Sequence, residues 1–296
     1  MAAFHYNYAI VSRIPDSFQD IQVQQADADL IDIEKAREEH QEFIKTLKKC
    51  DVRVIELASD EAYPECAFLE DCALAIGGVA LILRPFSKTR HGEVAGVRKL
   101  LQDLNLHVFE IKDPDAFVNG GDVFFTGKEI FVGVGPDERS NERGANAVAN
   151  VFPEYHVTPI KMRGDVRLKS LVCMAGRDII ACGSSPTALN VLNQIRTTAH
   201  YSYKILKLDN DRAANMLYVN GRLIHRTRTE IGEKCYSVLD EKITYVQHKQ
   251  DISEIAKARG TLSGMVIFIS KHSLHKEVIS NIGPHDLTAY TEVSNM

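Results

Sequence analysis

Apolar and polar positions fall in short bursts along this chain, and the clearest burst is residues 119–135, NGGDVFFTGKEIFVGVG. Two β-rich runs, 123–125 and 130–134, flank the polar Thr126-Gly127-Lys128. That spacing predicts a hairpin whose tight turn uses the positive φ open to glycine. The same shape recurs at 71–83 around Gly77-Gly78, at 171–182 around Gly176-Arg177 and at 216–225 around Asn220-Gly221, with a weaker fifth copy at 262–269 around Gly264. The turn glycines Gly77, Gly127, Gly176, Gly221 and Gly264 lie 50, 49, 45 and 43 residues apart. Self-similarity at this period points to a repeat architecture, a propeller foremost, because a radial array of hairpins protects its strand edges.

Between the hairpins the apolar period lengthens to that of a helix. Ile33, Ala36, Phe43, Ile44 and Leu47 predict an amphipathic helix over 31–48, and similar stripes predict helices over 93–104, 140–151, 186–199 and 229–240, with a short one at 252–258. Strands are expected at 6–11, 52–57, 107–111, 155–160, 204–208 and 243–246, and the Gln- and Asp-rich stretch 17–30 reads as a mobile loop. The unit is hairpin, helix, strand, repeated five times without a Pro- or Ser-rich linker. The chain is therefore read as one α/β domain over 1–271, a five-unit α/β propeller, followed by a loosely ordered tail over 272–296.

Composition changes little in this picture. With 296 residues, 45% hydrophobic and 25% charged, the chain has the make-up of a soluble globular protein. A net charge of −5 offers no basic footprint for nucleic acid. The amino terminus has no signal-peptide character, and no run approaches the roughly 18 apolar residues that cross a bilayer, so no membrane partner is expected. Six cysteines, at 50, 66, 72, 173, 182 and 235, are scattered without a CxxC pair and read as reduced thiols of a cytoplasmic protein.

Chemistry enters through the acidic residues before the first two hairpins, Glu65, Glu70, Asp71 and Asp122. In a radial array the corresponding strand ends approach a common axis, so these carboxylates can share one cleft. Clustered carboxylates suit the planar fork of a guanidinium, although ion pairs at strand starts would account for them equally.

Several motifs carry more. Phe68-Leu69-Glu70-Asp71, Gly120-Gly121-Asp122-Val123, Phe125-Thr126-Gly127, Leu168-Lys169-Ser170, Met174-Ala175-Gly176, Gly183-Ser184-Ser185 and His225-Arg226-Thr227 together resemble dimethylarginine dimethylaminohydrolase, within the pentein superfamily of guanidino-group-modifying enzymes. The resemblance runs from about Tyr8 to Lys271. It implies a five-unit α/β propeller and hydrolysis of methylated arginine to citrulline and a methylamine, without an obligatory cofactor, a reaction tied to nitric oxide regulation. It also implies a small-molecule ligand bound by Glu65, Glu70, Asp71, Arg90 and Arg139, the arginines taking its amino-acid end.

The reactive positions of that family are replaced. Arg167 stands where the family has the histidine of its HLKS motif, Asn119 stands for the aspartate of DGGD, and Gly264 occupies the place of the nucleophilic cysteine. No cysteine follows Cys235, and an arginine, with a pKa above about 12, cannot shuttle protons near neutral pH. Ser263, Cys72 and Cys173 are the available substitutes, and His225 matches a family residue of structural kind. The preferred reading is a binding or regulatory pseudoenzyme of this family. Its rivals are a hydrolase working through substitute residues and a structural or storage protein. Two arrangements are open for the rewritten cleft: Arg167 pairs with Glu70 or Asp71 as a built-in guanidinium, or Arg167, Arg90 and Arg139 hold a new anionic or zwitterionic ligand.

Overall fold

Antiparallel hairpin, helix, then a strand parallel to the hairpin's second strand: this pattern organises all five sheets of the computed structural model, which describes residues 3–21, 30–136, 139–270 and 290–293. The chain begins with β1 (Tyr8–Ser12), α1 (Ile33–Lys49) and β2 (Arg53–Leu57), with β2 parallel to β1. The second unit is β3 (Ala73–Ile76), β4 (Val79–Ile82), α2 (Val94–Asp103) and β5 (His107–Glu110). The third is β6 (Val123–Phe125), β7 (Glu129–Val134), α3 (Glu142–Val151) and β8 (His156–Lys161). The fourth is β9 (Val172–Gly176), β10 (Ile179–Cys182), α4 (Pro186–Thr198) and β11 (Lys204–Lys207). After the single turn α5 (Asp211–Ala214), the fifth is β12 (Leu217–Val219), β13 (Arg222–Arg226), α6 (Arg228–Ile231), α7 (Glu233–Lys242) and β14 (Gln247–Gln250). Finally α8 (Ser253–Lys257) and β15 (Ile267–Ile269) return to the start.

The return corrects one expectation. The stretch 262–269 is not a local hairpin, and Gly264 lies in a 3-10 turn, Ser263–Met265. The partner of β15 is β1, antiparallel, in the register Tyr8↔Ile269 and Ile10↔Ile267. Pairing the two ends of the ring supplies the missing hairpin strand and removes the open edge that a local turn would have left on β1. Of the tail at 272–296, only β16 (Tyr290–Val293) is described, antiparallel to β2, and the rest of that expectation lies outside the described residues. The loop expected at 17–30 starts with a 3-10 turn, Asp16–Asp20, and residues 22–29 also lie outside them.

Local details differ where packing overrides pattern. Gly127 has the positive φ, 87°, that its turn needs. Gly176 does not turn its hairpin: the left-handed residue is Asp178, φ 59°, and Gly176 is glycine because an added Cβ would lie 2.5 Å from the Tyr245 hydroxyl. The helix expected over 229–240 is two helices, broken at Gly232 with φ 83°. The strand expected at 243–246 is instead β14, because α7 runs on to Lys242 and Ile243 caps it in the core. Backbone pairing to β13 at a sheet edge, not apolar content, makes a strand of Gln247–Gln250.

Five apolar clusters hold the ring, each joining two successive units. Ile10 meets Ile82 and Leu101; Leu81 meets Val132 and Phe152; Phe131 meets Ile180 and Leu192; Ala181 meets Leu223 and Leu239; Val219 meets Val54 and Phe43. Because each seam buries both neighbours, no unit has a core of its own. Phe131, fully buried in the third seam, provides the check: Phe131→Ala is expected to cost about 3–5 kcal/mol in a denaturant titration, by transfer and cavity terms together.

Candidate functional site

Each hairpin is entered through a tight turn, and these turns meet around the axis. They are the 3-10 turns Leu69–Asp71, Gly120–Asp122, Leu168–Ser170 and Ser263–Met265, with α5 in the fifth place. The chemistry-bearing side chains therefore come from equivalent places in different units. The approach is close: a Cβ on Gly120 would lie 1.8 Å from the Glu70 carbonyl oxygen, and one on Gly121 would lie 2.6 Å from Cδ of Arg167.

Asp71 is the centre. It is fully buried, and its Oδ2 receives Nη1 of Arg90 at 2.5 Å and Nη1 of Arg167 at 2.7 Å, while Oδ1 accepts the Gly121 N–H at 3.2 Å. Burial by itself would raise the Asp71 pKa, but the charges of Arg167 and Arg90 and the Gly121 N–H outweigh it and hold the carboxyl at about 2. Arg90 is buried too and fully engaged. Besides Asp71 it donates to Glu93 at 2.7 Å and to the Phe68 and Glu65 carbonyls, and Glu65, 43% exposed at the rim, lies 3.4 Å from its Nε. Burial opposes the Arg90 charge, and Asp71 and Glu93 more than restore it, so its pKa moves up. Arg167 reaches Asp71 with a side chain that stays 39% exposed to the cleft, and the Asp71 charge likewise raises its pKa.

Glu70, the next residue back, faces the other way. Its Oε1 takes Nζ of Lys169 and its Oε2 accepts the Ser263 hydroxyl at 3.2 Å. The Asn215 amide donates to Ser263 Oγ at 3.0 Å and to the Lys169 carbonyl at 3.0 Å. Asp122 is satisfied within the protein by Arg139 at 2.8 Å, the Ser140 hydroxyl at 2.9 Å and the Leu168 N–H at 3.0 Å. Arg139 also donates to the Gly164 and Val166 carbonyls, and its buried Nε has no partner among the described residues. Asn119 accepts the Phe86 N–H at 3.3 Å, and its own N–H goes to Ser140 Oγ at 2.9 Å.

This ionic layer separates two spaces. In front lies a cleft of about 1030 Å³, walled by Glu65, Arg90, Asp122, Arg139, Arg167 and Thr261 among others. Behind lies a cavity of about 150 Å³ that Glu70, Lys169, Cys173 and Ser263 share with apolar hairpin residues. Among the described residues lining the cleft there is no histidine and no cysteine. All six cysteines are buried and free, and burial pushes their thiols up, Cys173 to about 12. Among the described residues no cluster suits a metal ion, and no helix is long and apolar enough to cross a membrane.

The fold thus gathers Glu65, Glu70, Asp71, Arg90, Arg139, Arg167, Asn119 and Gly264 around one axis. Of the two carboxylates weighed as partners for Arg167, Asp71 is the one that binds it; Glu70 is taken by Lys169. Lys169 and Asn215 were missed as members of the network, although Lys169 sits in a quoted motif two residues from Arg167. No signal marks Asn215 before the turns are superposed.

Asp71 sets an acid limb on stability. Its folded pKa, about 2, lies below the ordinary carboxylate value near 3.9, so its contribution is complete above about pH 4 and is lost as pH falls through 2. The difference corresponds to about 2 kcal/mol. Asp71→Asn is expected to flatten the loss of stability between pH 4 and 2. It also removes one of the carboxylates on buried Arg90 and the partner of Arg167, at a cost of about 3 kcal/mol at pH 7, and denaturant titrations at pH 7 and pH 3 measure both effects.

Comparison with known proteins places the chain in a family. The family model described as "N,N dimethylarginine dimethylhydrolase, eukaryotic" matches residues 12–176. The human protein named "Putative hydrolase DDAH2" is 32% identical over 275 residues, covering 89% of this chain and 94% of that protein. The N(G),N(G)-dimethylarginine dimethylaminohydrolase of Pseudomonas aeruginosa is 27% identical over 79% of this chain and 88% of its own length. A solved structure of the Pseudomonas aeruginosa enzyme, a mutant complexed with citrulline, superposes with a TM-score of 0.75 at 23% identity, over 90% of this chain and 100% of that one. The shared fold, the axial site and these sequence matches lead to one conclusion: the chain belongs to the dimethylarginine dimethylaminohydrolase family.

Proposed function

We propose that this protein is a member of the family that has lost the family's hydrolytic chemistry and serves as a binding or regulatory protein for a small molecule. One observation carries the reading: the guanidinium of Arg167 already occupies Asp71, the carboxylate suited to a substrate guanidinium. The recess at Gly121 admits the stem of Arg167, and Asp71 keeps Arg90 and Gly121 as partners if Arg167 leaves. Arg167 is therefore a tethered guanidinium that a ligand can displace without orphaning the buried carboxylate. In this reading Glu65, Asp71, Arg90 and Arg139 form the ligand site with no cofactor, and Glu70, expected with them, supports it from the rear cavity through Lys169 and Ser263. Six free buried thiols suit a reducing compartment, so the reading includes a cytoplasmic location.

A thiolate nucleophile has no place in this arrangement, since every thiol is withdrawn from the cleft and burial favours its neutral form. Ser263 has the best hydrogen-bond partners of the remaining hydroxyls, Glu70 and Asn215, but it faces the rear cavity across the ionic layer.

Three measurements test the reading. An electrophile should label the native thiols slowly and the denatured protein rapidly at all six; a fast native label would mark a reactive cysteine in the cleft. Arg167→Ala should bind monomethylarginine at least tenfold more tightly than the unmodified protein, read by calorimetry. Citrulline release from asymmetric dimethylarginine should be roughly a thousandfold or more below that of an Arg167→His, Gly264→Cys variant. A Cβ at Gly264 meets only Thr261 Oγ1 at 3.0 Å and Phe68 at 3.9 Å, so the new cysteine is accommodated by a small shift. Release by the unmodified protein at a comparable rate would overturn the proposal and return Ser263 as the first suspect.

A further inference from the structure

The wall that the fifth unit gives to the cleft carries two further guanidiniums, Arg226 and Arg212. Arg226 ends β13, is only 4% exposed and lines the cleft. Its Nη2 donates to the Gly260 carbonyl at 3.2 Å, its Nη1 stands 3.5 Å from Glu230, and its Nε has no partner among the described residues. Burial lowers the Arg226 pKa despite Glu230, the reverse of Arg90, where neighbouring carboxylates win. Arg226 is a buried cation that its surroundings leave under-compensated. Arg212, exposed on α5, lines the same wall and makes no ion pair among the described residues, and its charge bears on Arg226.

Of the other charges on this wall, Glu230 stands against Arg226 itself and the rest have partners of their own. Arg259 and Asp165 pair with each other. Asp211 accepts the Ser185 N–H at 3.1 Å, and Glu230 is buried and bonded to Thr227. Two guanidiniums of like sign, one with a free buried N–H, lie beside the neutral donors and acceptors of Asn215 and Thr261. Guanidinium forks of this kind are matched by a carboxylate or phosphate, which neutralises both cations.

We propose that Arg212 and Arg226 form a binding site for a small oxyanion, a carboxylate or a phosphate, on the fifth-unit wall of the cleft. The inference rests on the cleft being a ligand site, as proposed above, and is independent of whether hydrolysis is lost. A ligand bearing this anion approaches with its other end toward Arg167 and the cleft floor.

The test titrates the full chain with inorganic phosphate and, separately, with acetate, at constant ionic strength, reading heat and melting temperature. Saturable binding with a Kd of about the millimolar range is expected for one of the two, and the tighter arm identifies the tetrahedral or planar anion. Arg212→Ala, an exposed substitution that leaves the fold alone, should weaken that binding at least tenfold. Arg259→Gln, in a cation already paired with Asp165, should leave it within twofold. The absence of saturable binding, or equal affinity in Arg212→Ala and the unmodified protein, overturns the inference. If phosphate and acetate both fail while Arg167→Ala still gains monomethylarginine binding, the anion site is wrong and the ligand-binding reading stands.

Discussion

A single buried carboxylate with two guanidiniums on it is the constraint around which the centre of this molecule is built. Radial folds drive the entrances of their hairpins together, and here those turns bring backbone and charged side chains to an axis with little water. Asp71 solves that problem for three units at once, accepting from Gly121 in the next unit, Arg90 in its own and Arg167 two units on. Its depressed pKa is the thermodynamic signature of being over-satisfied. Removing either guanidinium leaves it paired, whereas removing the carboxylate takes from Arg167 its carboxylate and leaves Arg90 to Glu93 and Glu65.

The ring depends equally on its closure. Because each apolar seam belongs to two units, the seam between the fifth unit and the first also takes in Leu262, Met265 and Val266 on the approach to β15. The first sheet draws strands from both ends of the chain, and the turn Ser263–Met265 that delivers β15 also delivers Ser263 to the axial network. Closure and the axial network share that turn. Changes at the position of Gly264 therefore act on both, and the space around that glycine matters to both.

The ionic layer also divides function by direction. Glu70 and Asp71 are neighbours in sequence, yet one turns to the rear cavity and the other holds the floor of the cleft. Arg90 and Arg139, which a family resemblance places at the amino-acid end of a ligand, are engaged by Glu93, Asp71 and Asp122. Arg139 and Arg226 each keep a buried Nε without a partner among the described residues, and Arg212 makes no ion pair among them. The carboxylates at the centre are held by protein cations, and guanidinium groups line the cleft.

Local order in this protein was legible from the sequence because it is set by short-range physics. The hairpin turns at Gly77-Gly78, Gly127 and Asn220-Gly221, the amphipathic stripes of α1 to α4, and the gathering of acids before β3 and β6 all follow from residue type and period. The partner of β15, the strand at Gln247–Gln250 and the close approach at Gly176 were decided only by the tertiary structure, since each depends on a neighbour distant in the chain. The same holds for the charges. Asp71 takes Arg167 and Glu70 takes Lys169 because five turns converge with a fixed rotation that no local period encodes. Adjacent carboxylates are equivalent in a sequence and are separated only when the fold gives each a different side of the axis.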